Sequence, residues 1–425
     1  MKLSLPPGPL WMKNPYVHLG IGMIALSSLF AFSSHTAFRP VPDASLKTPT
    51  PVPSPTPWRL EPVPQTVNAV YLTGYSTGNS KKIKEIIDLA DTTELNGVVI
   101  DIKDYAGKIF FQTNSTLIHS IGSEEIRIPD FKNLIATLHE HHIYVSARIA
   151  VFQDAHLSKV RPDLAIKNSQ TGAIWKDRKG LSWVDPGSRD VWDYNLEVAR
   201  EAIALGVDEI NFDYVRFPSD GDMTVLSYPL YNPNALSKAE QMQKFFAYVH
   251  EVLGPMPVKT SVDLFGLATI NEDDLGIGQI IEYAYPYFDY IAPMVYPSHY
   301  AKGFLGYQNP ASYPYEVIFY SLEKAQVRRS KLDAVLSYVP SPTPENSTST
   351  PLKAPDVSYI KTGLLPRNSK IAKLRPWLQV FDIGATYTPE MVRKQIQATL
   401  DTNNDSGWYL WNPSNIYNPG IFARE

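Results

Sequence analysis

One short stretch of the chain brings a carboxylate and a guanidinium to the end of a hydrophobic strand. Residues 206–218, with the sequence GVDEINFDYVRFP, alternate in polarity and carry Asp213 and Arg216 near their end. Because side chains alternate across a strand, Glu209, Asn211 and Asp213 share one face. A solvated edge strand with a surface ion pair would explain this stretch alone. In a parallel barrel, the same pattern would direct Asp213 into the catalytic mouth.

The other predicted strands also end in polar or aromatic residues. In a parallel barrel the carboxyl ends of all strands form one rim, where active sites lie. A shared rim of this kind predicts a functional site rather than an ordinary core. The residues at these ends are Asp101, Lys103, Asp104, Arg148, Asp154, Asp263, Tyr296, Ser298, His299, Gln379, Asp382, Trp411 and Asn412.

Paired carboxylates at one rim are suited to the hydrolysis of a glycosidic bond. One carboxyl protonates the leaving oxygen, and the other acts as nucleophile or base. Asp213 and Asp263 follow the fourth and fifth predicted strands, which lie about 4.8 Å apart in a sheet. We predict Asp213 as the nucleophile and Asp263 as the acid/base, with Asp101 as the reserve candidate for either role. A structural carboxylate at Asp263, and a salt bridge from Asp101 to Lys103 or Arg148, are the alternatives.

The remaining rim residues are candidates for substrate binding. Arg148 near Asp213 would stabilise the charged nucleophile, or it would form an ion pair inside the barrel. Aromatic rings stack on sugar faces and polar groups bind hydroxyls, although Trp411 would equally seal the rim. The predicted substrate-binding residues are Arg148, Arg216, Lys103, Tyr296, His299, Gln379, Trp411 and Asn412.

Two segments resemble metal sites but lack a complete ligand set. Residues 139–142 (HEHH) end a predicted helix on the rim opposite the site, where histidines commonly complement the helix terminus. Residues 401–405 (DTNND) begin like a calcium loop, but the glycine and the closing glutamate are missing. We therefore predict no metal and no cofactor.

Eight strands alternating with helices are predicted to position these residues. Eight strand and helix units over about 350 residues are the number found in a (β/α)8 TIM barrel, in which the crossover connections are right-handed. A doubly wound open sheet is the alternative, but residues 73–79 lack its glycine-rich phosphate loop. The predicted strands lie at 68–73, 97–104, 143–152, from 207, 258–263, 290–296, 376–381 and 408–412, and the predicted helices at 80–93, 129–142, 188–205, 235–253, 276–288, 313–329 and 389–400.

The composition is that of a globular protein without a nucleic-acid surface. The chain has 425 residues, of which 44% are hydrophobic, and a formal net charge of -4 with pI near 6.2. Because it contains no cysteine, disulfides, thiolate catalysis and cysteine metal sites are excluded. We expect a monomer that binds no nucleic acid.

The barrel is predicted to follow a targeting segment and a linker. Residues 1–39 carry two lysines ahead of an apolar run, which indicates a membrane anchor or a cleaved signal peptide. Residues 40–65 are a Pro/Thr/Ser-rich linker, and residues 66–425 form the barrel, with a low-complexity insertion at 341–356. Positive charge before the apolar run places the barrel outside the cytoplasm, either membrane-anchored or secreted.

Residues 69–417 resemble a bacterial family of putative glycosyl hydrolase barrels, formerly a domain of unknown function, which is distantly similar to alpha-amylase-type barrels. In those enzymes the fourth strand carries the nucleophile and the fifth carries the acid/base, which implies these roles for Asp213 and Asp263. Two positions depart from the amylase pattern: the fifth strand carries Asp instead of Glu, and Asn211 replaces an arginine. The matching runs are residues 97–104, 147–152, 208–218, 294–300, 375–379 and 408–412.

Two functions follow from these patterns. The first is an extracytoplasmic glycoside hydrolase that cleaves a surface or environmental polysaccharide with a pair of aspartates, tethered to the membrane through its N-terminal segment. The alternative is a non-catalytic carbohydrate-binding or wall-associated barrel. A metal-dependent hydrolase is disfavoured because the sequence has no suitable histidine cluster.

Overall fold

Eight parallel strands close into a barrel in the computed structural model, which describes residues 60–337, 357–367 and 369–424. Each strand pairs with the next along the chain, and the first strand pairs with both the second and the eighth, so the ring has no free edge. The predicted parallel barrel with surrounding helices is confirmed. The barrel strands are β1 Val67–Leu72, β2 Gly97–Lys103, β3 Tyr144–Ala150, β4 Glu209–Asp213, β5 Lys259–Phe265, β6 Tyr290–Met294, β7 Trp377–Gln379 and β8 Gly407–Trp411.

Helices follow most of the strands and pack on the outside of the ring. Additional short strands lie in the loops, at Ile109–Phe111, Glu124–Ile128, Lys167–Asn168, Leu226–Ser227 and Lys373–Leu374. The α-helices are α1 Gly74–Thr77, α2 Ser80–Ala90, α3 Thr116–Ile121, α4 Phe131–Glu140, α5 Ala155–Val160, α6 Arg189–Leu205, α7 Lys238–Leu253, α8 Pro314–Ser337 and α9 Pro389–Asp401.

The helix α6 shows how local sequence sets the position of β4. Ser188 caps its first turn by accepting a hydrogen bond from the Val191 amide, and Gly206 ends it with φ of 108°. Only glycine adopts this left-handed conformation without steric cost. The chain can therefore reverse and enter β4 three residues later, where Asp213 becomes the last residue of the strand.

The helix predicted at 276–288 does not form, and this prediction is wrong. Only a 3-10 turn at Ile281–Tyr283 is present. Gly276 and Gly278 both take positive φ values, and Pro286 lacks the amide that a continuing helix would need. The segment from Ile280 to Phe288 is buried on all sides, so its hydrophobicity reflects a packed coil and not an amphipathic helix.

The interior of the barrel combines buried charged and polar groups with aromatic and small apolar residues, whereas its outer face is apolar. Phe212 on β4 points outward and packs edge-on against Phe245 of α7, with ring centroids 6.4 Å apart. Glu209 points inward, where its carboxylate contacts the Arg375 guanidinium at 2.6 Å, and both side chains are fully buried. The alternation predicted for this strand is confirmed, and the inward row leads from Glu209 through Asn211 to Asp213.

Several predicted segments fall outside the described residues. Residues 1–39, most of the linker at 40–65 and the insertion at 341–356 belong to this group. None of the helices within 60–337, 357–367 and 369–424 combines the length and the hydrophobicity needed to cross a bilayer. The anchor at 1–39 therefore stays a prediction.

Candidate active site at the carboxyl ends of the strands

One guanidinium contacts three carboxylates at the carboxyl end of the barrel. Arg148 of β3 donates hydrogen bonds to Asp101 of β2 through Nη1 and to Asp213 of β4 through Nη2. Its Nε lies 3.7 Å from Oδ2 of Asp263, on β5. Strand pairing explains this convergence, because Arg148 stands directly beside Asp101 on one side and beside Asn211 on the other. The structure thus brings together the three predicted carboxylates.

Asp263 is the most deeply placed of the three, with a side chain only 1% exposed. Its Oδ1 accepts hydrogen bonds from Asn211 Nδ2 and Trp377 Nε1, each at 2.8 Å. Burial raises the pKa of Asp263 well above its ordinary value, and the nearby negative charge of Asp213 raises it further, against the opposing effect of Arg148. Asp263 therefore holds its proton to a higher pH than an exposed aspartate.

Asp213 stands where β4 ends and the backbone turns. Its Oδ1 accepts a hydrogen bond from the Tyr214 amide at 2.5 Å, while Oδ2 faces Arg148. Tyr214 has φ of 53°, a left-handed conformation that is costly for a bulky residue. Backbone strain of this kind persists at functional sites, where the surrounding structure enforces it. Both oxygens of Asp213 are thus oriented by donors on opposite sides.

The charges of the cluster do not balance when every group is ionised. Three carboxylates face a single guanidinium in a largely buried position, which leaves an excess of two negative charges. Burial raises the pKa of Asp101 as well, despite Arg148 and the hydrogen bond from the Tyr71 hydroxyl. Protonation of the two carboxyls with raised pKa values would relieve this excess.

An open cleft of about 320 Å³ lies directly above the cluster. Tyr296 and Trp411 form one wall, with ring centroids 5.5 Å apart and planes inclined by 26°. His299 packs against Tyr296 at 5.3 Å, and burial lowers its pKa. The cleft is lined by Arg148, Asp213, Tyr214, Arg216, Asp263, Phe265, Gly266, Leu267, Met294, Tyr296, His299, Tyr300, Trp377 and Trp411.

Three residues predicted to bind substrate lie away from this cleft. Lys103 is completely buried and pairs with Asp154 at 2.8 Å. Gln379 is also buried: its side-chain oxygen accepts a hydrogen bond from the Ser298 amide, and its nitrogen donates to the Phe381 carbonyl in the loop after β7. The Asn412 amide donates to the carbonyls of Val380 and Ile416. Their side chains are engaged by the protein itself and do not line the cleft.

The sequence patterns missed several residues that shape the site. Asn211 and Trp377 hold Asp263, and Tyr71 of β1 holds Asp101. A usable signal was present, since Asn211 shares the inward face of β4 with Asp213 and Trp377 shares that of β7 with Gln379. Carboxylates at strand ends are identifiable as site candidates by their polarity. Tryptophan and tyrosine at the same positions are not, because they are also common core residues.

No potential metal centre is found in the described part of the chain. Among residues 60–337, 357–367 and 369–424, no three His, Asp or Glu side chains are placed to hold an ion. His139 instead contacts Asp208 at 2.9 Å, and Asp401 accepts hydrogen bonds from Tyr315 and Gln397.

The chain forms a closed parallel barrel, and a cleft lined by carboxylates lies at the carboxyl ends of its strands. These features define a TIM-barrel protein whose cleft occupies the usual position of the active site. The particular family follows from its sequence. Residues 69–340 and 345–417 match the family described as "Putative glycosyl hydrolase domain". Because this match spans most of the chain, the protein belongs to that glycosyl hydrolase-like family, and the resemblance inferred from the motifs is confirmed.

A solved structure shares the barrel fold. The glycoside hydrolase domain of PgaB (BpsB) from Bordetella bronchiseptica superposes with a TM-score of 0.55 at 11% identity, covering 84% of this chain and 99% of that one. At this identity the likeness shows the barrel fold alone.

Two further structures are similar over parts of the chain. A hypothetical protein from Ruminiclostridium thermocellum is 34% identical, with a TM-score of 0.42 over 49% of this chain and 98% of its own. The spore cortex-lytic enzyme SleL from Bacillus megaterium is 12% identical, with a TM-score of 0.44 over 85% of this chain and 73% of its own. The comparison with curated proteins finds no match.

Proposed function

We propose that this protein is a glycoside hydrolase in which Asp213 is the nucleophile and Asp263 is the acid/base. One observation carries the proposal: carboxyls from adjacent strands contact the same guanidinium on the floor of an open cleft. Family membership supports the class of reaction. The arrangement supplies the two carboxyl groups that glycosidic cleavage requires, on residues with different environments.

The separation of the two carboxyls is compatible with this chemistry. Since Asp213 and Asp263 each contact a nitrogen of Arg148, their nearest oxygens lie within roughly 8 Å of one another, given the size of a guanidinium. Glycosidase carboxyls stand about 5 to 5.5 Å apart in retaining enzymes and about 6.5 to 9.5 Å apart in inverting ones. This upper limit on the distance is compatible with both the retaining and the inverting separation. The anomeric configuration of the released sugar distinguishes the two mechanisms.

The environments of the two aspartates support a division of roles. Asp263 retains its proton because burial raises its pKa, and a protonated carboxyl is what the leaving oxygen needs. Asp213 faces Arg148 and the Tyr214 amide, which stabilise its negative charge. In the proposed first step, Asp213 attacks the anomeric carbon while Asp263 transfers its proton to the departing glycosidic oxygen. Asp263 then accepts a proton from the water that releases the sugar.

The aromatic wall supports sugar recognition. Trp411 and Tyr296 present a broad apolar surface beside the carboxylates, and aromatic rings stack on the apolar faces of pyranoses. This wall would bind the sugar ring whose anomeric carbon faces Asp213.

The test is a panel of oligosaccharides and polysaccharides incubated with wild type and with Asp213→Asn, with reducing ends as the readout. Wild type should cleave at least one glycan, and the variant should lose at least about 10³-fold in rate. Asp190→Asn, on the exposed surface of α6, is the matched control and should retain activity. Binding without cleavage by wild type would support a carbohydrate-binding barrel instead.

We also propose that the barrel works outside the cytoplasm on a membrane tether. The support is the apolar run within residues 1–39, preceded by lysines, and the proline-rich segment after it. Deleting residues 1–39 should release the protein from the membrane fraction. Continued membrane association after the deletion would contradict the tether.

A further inference from the structure

Arg216 packs among aromatic rings at the wall of the cleft. Its guanidinium carbon lies 4.8 Å from the ring centre of Trp183 and 4.9 Å from that of Phe265, with Tyr214 at 5.5 Å. Rings on several sides limit the orientations of the side chain and favour the cation. Arg216 lines the same cleft as Asp213, so its orientation bears on what the cleft accepts.

Among the residues that the structure describes, only one nitrogen of the Arg216 guanidinium donates hydrogen bonds to the protein. Nη1 donates to the Phe217 carbonyl and to Ser219 Oγ, both at 3.1 Å. Within the described residues, neither Nε nor Nη2 donates a hydrogen bond. Neither atom belongs to the buried polar atoms that lack a partner, so both are accessible to solvent. The edge formed by Nε and Nη2 is therefore accessible, on a residue that lines the cleft.

The charge of Arg216 has no direct counterion in the part of the chain that the structure describes. Asp213 is paired with Arg148, and Asp177 is turned toward Gln153 and the Trp183 indole nitrogen. Asp220 acts on Arg216 only from a distance. Burial lowers the pKa of Arg216, which reflects the cost of keeping an unpaired cation partly out of water. An anion in the cleft would remove this cost.

We propose that the Nε and Nη2 edge of Arg216 binds the carboxylate of an acidic sugar unit, next to the glycosidic bond whose anomeric carbon Asp213 attacks. Two parallel N–H donors in a plane match the two oxygens of a carboxylate, which gives a bidentate, charge-assisted pair. This inference rests on the proposed glycoside hydrolase function and narrows its substrate class to carboxylated glycans. A neutral sugar would leave the edge unpaired.

The test measures binding to the full-length protein by calorimetry. The probes are oligomers of galacturonate, glucuronate and mannuronate, each compared with its carboxyl-reduced counterpart of equal length. Wild type should bind at least one acidic oligomer about 10-fold more tightly than its reduced form, or better. Arg216→Gln should abolish this preference while affinity for the reduced form stays within about two-fold. Arg200→Gln, at a partly exposed position of α6 outside the cleft, should keep the wild-type preference.

Two further variants or probes complete the design. Arg216→Lys keeps the charge but loses the fork, so it should recover only part of the preference, and it replaces the glutamine variant if that variant fails to fold. Sulfated oligomers present a tetrahedral anion. Tighter, Arg216-dependent binding of a sulfated oligomer than of every uronate would overturn the carboxylate assignment.

The inference and the proposed function fail in different ways. Equal binding of acidic and reduced oligomers by wild type, or a preference that survives Arg216→Gln, overturns the role of Arg216. An Arg216-dependent preference without cleavage of any bound oligomer overturns the hydrolase and leaves the recognition intact. Efficient cleavage of neutral glycans alone leaves the hydrolase and overturns the inference.

Discussion

The substitution Glu209→Gln tests whether an ion pair beneath the cleft supports the whole site. The Glu209 carboxylate accepts hydrogen bonds from five side chains: Tyr144, Ser146, Ser261, Arg375 and Tyr409. Ser261 then accepts a hydrogen bond from Asn211, which donates to Asp263. The carboxylate thus forms the base of a chain of contacts that reaches the proposed acid/base.

The expected cost follows from the burial of the pair. Glutamine has almost the same shape, but it leaves the Arg375 cation without a counterion in a position that is 0% exposed. The Nη2 of Arg375 already lacks a partner among the described residues, so no spare interaction compensates. Removing one member of a buried pair costs about 3 to 5 kcal/mol. For a barrel of roughly 350 residues this lowers Tm by about 4 to 7 °C.

The assay is thermal and urea unfolding of the full-length variant. Glu197→Gln is the matched control, because Glu197 forms a partly exposed pair with Arg200 on α6, and it should change stability by less than about 1 kcal/mol. In the Glu209→Gln background, Arg375→Met should cost much less than it does alone, since the pair acts as a unit. A loss below about 1 kcal/mol for Glu209→Gln, or fully additive losses, would refute this reasoning.

Further predictions concern the cleft itself. Asp263→Asn should reduce turnover by about 10² to 10⁴-fold. Because burial raises the folded-state pKa of Asp263, the stability from its protonated form is complete below the unfolded pKa of about 3.9 and is lost as pH rises through the folded pKa. The stability of Asp263→Asn relative to wild type should therefore increase with pH in urea titrations, and a constant difference would contradict the raised pKa. Trp411→Ala should raise KM by about 10-fold with a smaller change in kcat, through the loss of a stacking surface. An unchanged KM would limit Trp411 to packing against Tyr296.

The barrel was largely predictable because its signals are local. Alternating or continuously apolar segments bounded by polar residues predicted all eight strands, and the strand ends predicted the rim. Arg148, Asp213 and Asp263 could be placed together since parallel strands present their carboxyl ends at one rim. The failure at 276–288 has an equally local cause, because burial on all sides hides the difference between a helix and a coil.

The details of the site depended on contacts that a sequence does not reveal. Asp101 and Lys103 are two residues apart on β2, so a regular strand would point both side chains into the barrel. The pairing register between β2 and β3 shifts between these two residues, however. A bulge of this kind rotates the chain, and Lys103 instead pairs with Asp154. Trp377 holds Asp263 across a sequence separation of 114 residues. Such pairings follow from closure of the barrel and from no motif in the chain.

The proposed function requires that Asp213 and Asp263 together cleave a glycosidic bond. The most direct measurement is the hydrolysis rate of Asp213→Ala on an aryl glycoside that wild type cleaves, with and without sodium azide. The alanine variant leaves space for azide to attack the anomeric carbon in place of the carboxylate. We predict a loss of at least about 10³-fold, partial recovery with azide, and a glycosyl azide product. A variant that hydrolyses the glycoside at the wild-type rate without azide would contradict the account.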